Sequence, residues 1–144
     1  MRALAALVLL ATLAGCGGGP NVVARDDSGG VVAKAALPDD GRFALAYRHS
    51  VYKAPAEERF RATGDGFVLD SIASPHAAVI DYYELEGQRT RERGWWVLRP
   101  DHPARFETMP LAATRRGQRT LVTGGSRLPL YGHAVHLRLA VEGT

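Results

Sequence analysis

Apolar and polar residues alternate with a period of two along most of this chain, and turns recur about every ten residues, the rhythm of strands rather than helices. Val22 to Arg25 and Val31 to Leu37 flank the hairpin loop Asp26-Asp27-Ser28-Gly29-Gly30, and Pro38-Asp39-Asp40-Gly41 is a second turn. Arg42 to Tyr52 then alternates, with Phe43, Leu45, Tyr47, His49 and Val51 on one face. Further strands are predicted at Glu57 to Ala62, Phe67 to Ile72, Ala78 to Leu85, Gly94 to Leu98, Phe106 to Leu111 and Arg119 to Thr123, with a short helix over Ala77 to Glu86 as the rival reading that the strand propensity of Val79, Ile80, Tyr82 and Tyr83 outweighs. In the last strand Val135, Leu137, Leu139 and Val141 point one way, and His136 and Arg138 the other. Glu86 to Arg93 reads as a charged loop, and Arg115-Arg116-Gly117-Gln118 as a hairpin tip. The expected fold is all-β, a single small antiparallel β-sandwich or barrel of roughly eight to nine short strands.

The first residues break this rhythm. Met1-Arg2 gives a short positive start, and Ala3 to Leu13 is apolar or small apart from Thr12, a length that suits a signal peptide and not a membrane span. The run ends in Leu13-Ala14-Gly15-Cys16, which resembles the lipobox of bacterial lipoproteins. That resemblance implies cleavage after Gly15 and acylation of Cys16, the one cysteine of the chain, with several acyl chains making a stable anchor. The expected organisation is a signal peptide over 1–15, a lipidated Cys16 with a glycine-rich tether over 16–20, and an all-β domain over 21–144. A lone cysteine leaves no internal disulfide. Gly17, and not Asp, follows Cys16, a pattern that in enterobacterial lipoproteins favours the outer membrane, on its periplasmic face.

The formal charge of +3 comes almost wholly from arginine, since Lys34 and Lys53 are the only lysines. An exported lipoprotein is a poor candidate for nucleic-acid work, so its basic loops are expected to meet other anions. If Arg89 to Arg93 and Arg115 to Arg119 fell at one end of the sandwich, they would form an anion-attracting rim.

The densest chemistry lies in RHSVYKAPAEERF, Arg48 to Phe60. His49 and Ser50 are neighbours in a strand, so their side chains leave opposite faces and cannot form a dyad. The chain has no Gly-x-Ser-x-Gly elbow. A hairpin across Lys53-Ala54-Pro55 would place Tyr47 opposite Phe60, Leu45 opposite Ala62 and His49 opposite Glu58, with an imidazole–carboxylate pair on the mainly apolar side. That pair is either a satisfied core contact or the lining of a ligand pocket. Of Trp95 and Trp96, one is expected to be buried and the other turned outward as a ligand platform, a partner contact or a seam cover, and Tyr82 and Tyr83 pose the same choice. His133 and His136 face opposite ways on a strand, and His76 and His102 sit beside prolines, so no metal site or cofactor is expected.

The segments FALAYRHSVYKAPAEERF, SPHAAVIDYYE, GWWVL and QRTLVTGGSRLPLYG, from Phe43 to Gly132, resemble the bacterial family called domain of unknown function 1850. The resemblance assigns no catalytic residue. Some members are encoded beside subunits of tripartite, periplasmic-binding-protein-dependent (TRAP) transporters of the TAXI type, which implies an accessory role in solute uptake. The expected function is a non-enzymatic envelope lipoprotein that binds a transporter subunit, another envelope protein or a small anionic ligand. The candidate contact residues are His49, Ser50, Glu58, Tyr82, Trp95 and Trp96. The alternative is a small envelope hydrolase or transferase using His49 and Glu58 as acid and base.

Overall fold

A computed structural model describes residues 18–143; the expected signal peptide and Cys16 lie outside the described residues. The described chain is nearly all β, with two antiparallel sheets and one short helix. The smaller sheet holds β1 (Asn21–Asp26), β2 (Val31–Ala36), β9 (Thr108–Ala112) and β12 (His136–Glu142), in the order β2-β1-β12-β9. The larger holds β3 (Arg42–Arg48), β4 (Pro55–Thr63), β5 (Gly66–Ser74), β6 (Gly87–Glu92), β7 (Trp95–Pro100), β10 (Thr120–Thr123) and β11 (Ser126–Pro129). Their order is β11-β10-β3-β4-β5-β7-β6, and the two-residue β8 (Arg105–Phe106) pairs with β5. The sheets do not close into a barrel; they form a sandwich. Twelve strands among the described residues replace the eight to nine expected.

Alternation places the core. Leu45 and Phe43 of β3, Phe60 of β4, Ile72 of β5, Leu98 of β7 and Leu121 of β10 face Val22, Ala24, Leu137 and Leu139 of the smaller sheet, all of them buried. Phe43, Phe60, Phe67 and Phe106 stack face-on or edge-on at centroid separations of 5.2–6.3 Å. Each buried ring contributes about 1.5–3 kcal/mol of transfer free energy.

Three departures from the sequence expectation shape the site. Ala77–Tyr82 is a short helix, α1, and not a strand. Its Val79 and Ile80 are buried, and Tyr83, just past its end, packs against the core. That spacing is a helical stripe, and burying it on the sheet overrides the strand propensity of Val, Ile and Tyr. Residues 87–92 are the edge strand β6 rather than a loop, paired with β7 from Gly87↔Pro100 to Glu92↔Trp95. Finally, Arg115 to Gln118 is not a hairpin tip, because β9 pairs with β12 while β10 pairs with β3 and β11. The segment 113–119 therefore crosses from one sheet to the other.

The two ends of the sandwich are chemically different. Pro20 meets Leu37 through a backbone hydrogen bond, and the Thr123 hydroxyl donates to the Ala36 carbonyl, so the described N-terminus, the β2–β3 turn and the β10–β11 turn share one end. β3 runs from there to Arg48, a span of about 20 Å at 3.4 Å per residue. At the far end the Arg48 N–H donates to the Gly117 carbonyl, tying the β3–β4 turn to segment 113–119.

Candidate functional site

The β3–β4 connection begins earlier than the alternation implies. The His49 imidazole Nδ1 accepts from the backbone N–H groups of Val51 and Tyr52, each at 3.3 Å, and its carbonyl accepts from Lys53 N–H. These bonds fold the chain out of the strand after Arg48, and Lys53 completes the turn at φ 54°. The turn is thus longer than Lys53-Ala54-Pro55, and the register moves: Phe43 lies opposite Phe60, Leu45 opposite Glu58 and Tyr47 opposite Ala56. The shift is by an even number of residues, so Glu58 keeps its inward face while His49 loses it as a cross-strand partner.

His49 and Glu58 therefore serve different partners. Glu58 accepts from the Tyr83 hydroxyl at 2.7 Å and from Arg119 at 3.2 Å. With that hydroxyl proton committed, the Tyr47 hydroxyl donates to the Tyr83 oxygen in a short contact. The Arg119 guanidinium lies 5.0 Å from the Tyr47 ring centroid, which closes a loop of four side chains. Burial pushes the Tyr47 phenol up to about 12, and burial beside Glu58 pushes Tyr83 up as well. The four come from β4, the chain just after α1, β3 and segment 113–119, so the network pins that segment to the sheet. From the sequence Tyr83 stands only as one of the Tyr82-Tyr83 pair and Arg119 only as part of a basic rim; neither is expected there to meet Glu58.

His49 is 4% exposed, packed edge-on against Tyr82 at 4.8 Å and beside Tyr52 at 5.2 Å. Burial, with a smaller contribution from Lys53, lowers its pKa, which suits a neutral ring whose Nδ1 accepts two bonds. Around it Val51, Tyr52 and Tyr82 are exposed. Ser50 is exposed, and its carbonyl accepts from the Lys53 ammonium.

Outside this turn lies a pocket of about 350 Å³ lined by Arg48, His49, Ser50, Lys53, Arg115, Arg116 and Gln118. Thr114 shapes its rim: its hydroxyl accepts from Gly117 N–H and its carbonyl from Gln118 N–H, turning Arg115 and Arg116 outward. Arg48, Lys53, Arg115 and Arg116 have no ion pair among the described residues, and the pocket has no acidic lining residue. Four cations converging without a counter-charge make a positive basin at one end of the molecule.

The other arginine cluster does not join it. Arg89 and Arg91 lie on β6, at the opposite edge of the sheet from β10 and β11. Arg89 pairs with Asp81, and Arg91 covers Trp96 at 4.9 Å. The expected single rim is two separate features. Trp96 packs on the core from the inner face, whereas Trp95 takes the outer face with Val97. Trp95 there lines a groove of about 630 Å³ with Tyr131, Arg127, Glu57, Thr120 and others. The candidates thus divide: His49 and Ser50 form the turn, Tyr82 covers it, Glu58 braces the segment beside it, Trp95 lines the neighbouring groove, and Trp96 is half-buried between the core and Arg91. Among the described residues no cluster of His, Asp and Glu has metal-binding geometry.

A family model described as "Domain of unknown function (DUF1850)" matches residues 43–130. The match runs from the start of β3 to the end of β11 and takes in the turn, the four-membered network and both arginine clusters. Comparisons with curated proteins and with solved structures find no match.

Proposed function

This chain belongs to the DUF1850 family, and from that membership and the geometry of the β3–β4 turn we propose that it is a non-enzymatic, lipid-anchored binding module of the cell envelope that takes an anionic ligand. The observation that carries this reading is the convergence of Arg48, Lys53, Arg115 and Arg116 on one pocket with no acidic group to neutralise them. An oxyanion there would meet cations and the Gln118 amide together, and charge-assisted bonds are the stronger ones.

Placement supports the same reading. The described chain starts at the end of the sandwich remote from the pocket. With Cys16 acylated, the four residues to Pro20 would reach about 14 Å, so the tethered end would stay closer to its membrane than the pocket end need do. Its ligand would then come from the periplasm and not from the anchoring bilayer. An accessory role beside a solute transporter fits such an orientation. The acid–base alternative is disfavoured because Nδ1 of His49 is committed to the turn and both Glu58 oxygens already accept bonds.

The test is calorimetric titration of the full-length chain, in nonionic detergent, with acetate and with orthophosphate. Saturable binding by the wild type, weakened at least tenfold in an Arg115→Ala/Arg116→Ala variant, is the expected outcome. Absence of binding by both anions at low salt would defeat the proposal.

A further inference from the structure

The basic pocket does not end at the turn. It shares Arg48, Lys53 and Gln118 with the groove on the outer face of the larger sheet, so the two adjoin along these side chains and together make a cleft beside the turn. The register shows how the groove floor forms. Thr120 lies opposite Ala46 and Ala46 opposite Glu57, and all three line the groove. The small side chain of Ala46 keeps this stretch of sheet low, while Trp95 and Tyr131 add aromatic walls. Both rings are half-buried, anchored in the fold yet open to the groove. The one carboxylate on the lining, Glu57, is held by Arg59 at 2.9 Å, whereas Arg127 has no ion pair among the described residues. The groove thus offers aromatic faces and hydrogen-bonding groups at one end and, at the other, cations with no carboxylate partner among the described residues.

We infer that this cleft takes a small ligand made of a flat-faced ring bearing a carboxylate, with the ring against Trp95 and the carboxylate on Arg48, Lys53 and the Arg115–Arg116 segment. This rests on the anion-binding reading above and adds the ring. A simple inorganic ion would meet the cations but leave the faces of Trp95 and Tyr131 without a contact. The groove, at about 630 Å³, lies within the size range of small-molecule sites. Two chemistries supply a flat-faced ring with a carboxylate, an aromatic acid and a sugar acid, and Trp95 can stack on either.

Four probes separate the parts: acetate (charge without ring), benzoate and galacturonate (charge with ring) and galactose (ring without charge). Each is titrated into the full-length chain in nonionic detergent, followed by calorimetry and tryptophan fluorescence. At least one ring-bearing acid is expected to bind at least tenfold more tightly than acetate, with galactose showing no binding. Trp95→Ala is expected to bring that acid down to the acetate level and to leave acetate unchanged. Tyr131→Leu, a milder change on the other wall, should give a partial loss, which keeps the test decisive if Trp95→Ala folds poorly. The stronger of benzoate and galacturonate names the ring class, and either preference supports the inference. A gain over acetate below tenfold, or ring-bearing acids indifferent to both substitutions, would overturn the ring site while leaving the anion pocket standing. Galactose binding as tightly as galacturonate would overturn the assignment of the charged end. Failure of every acid to bind would remove the anion-binding reading and this one together.

Discussion

Removing the Glu58 carboxylate is the sharpest perturbation of the network behind the pocket. Glu58→Ala deletes two hydrogen bonds at once, from Tyr83 and from Arg119. It also leaves a guanidinium whose side chain is 24% exposed without its counter-ion, beside a tyrosine whose partner is gone. Hydrogen bonds to charged groups contribute about 1.5–3 kcal/mol each, and breaking a fully buried pair costs about 3–5 kcal/mol. With Glu58 17% exposed and Arg119 somewhat more so, water recovers part of this. The expected loss is about 3 kcal/mol, which for a domain of this size is about 6–12 °C in melting temperature. The assay is urea and thermal unfolding by circular dichroism, in a cycle with Arg119→Met. The double variant should cost less than the sum of the singles by at least about 1 kcal/mol, because Arg119→Met removes the orphaned charge. Tyr83→Phe, which spares the ion pair, should cost about 1–2 kcal/mol. Because Arg119 ends segment 113–119, Glu58→Ala should also weaken anion binding. A loss below about 0.5 kcal/mol with no coupling would refute the network, since that is the effect of an ordinary surface change.

Phe60→Ala, at the centre of the aromatic cluster, should cost about 3–5 kcal/mol in the same melts. Lys53→Gly should keep stability within about 1 kcal/mol, because glycine suits the φ of 54°, yet weaken acetate binding through the lost charge. His49 has a folded pKa below the 6.5 of the free ring, so between pH 6.5 and its folded value the unfolded state binds more protons; stability should be flat above pH 6.5 and fall as pH drops below it, and His49→Gln should flatten that slope. For Tyr47, raised from 10.0 to about 12, the sign reverses: the unfolded chain loses the proton first, so stability should fall as pH rises from 10 to 12, read by phenolate absorbance and circular dichroism together.

Strands whose side chains divide between core and solvent were legible from the sequence. Leu137 and Leu139 in β12, and Phe43 and Leu45 in β3, announce their faces by alternation alone. β6 was not legible, because Gln88, Arg89, Thr90 and Arg91 hold an edge by backbone pairing and carry no apolar face to detect. From the sequence α1 ranks below a strand on the propensity of Val79, Ile80, Tyr82 and Tyr83, which matters less than where Val79 and Ile80 are buried. The turn was located but its register was not, since the cause is a side-chain acceptor, His49 Nδ1, that competes with the ladder for nearby amides. Arg115 and Arg116 were noticed as basic but set at a hairpin tip; their place over the His49 turn follows from a sheet-to-sheet crossing that no local pattern encodes. The Glu58–Tyr83–Tyr47–Arg119 network joins four separate segments, so only the folded topology assembles it.

The most direct test of the central claim is to map where acetate binds. The full-length, ¹⁵N-labelled chain in detergent is titrated with acetate while its backbone amide resonances are followed. The expected result is saturable shifts at Ser50, Lys53, Arg115, Arg116 and Gln118, with Asn21, Ala36 and Gly124 at the other end unmoved. Shifts scattered over both ends, or gathered on the Arg89–Arg91 edge, would contradict a binding site at the β3–β4 turn.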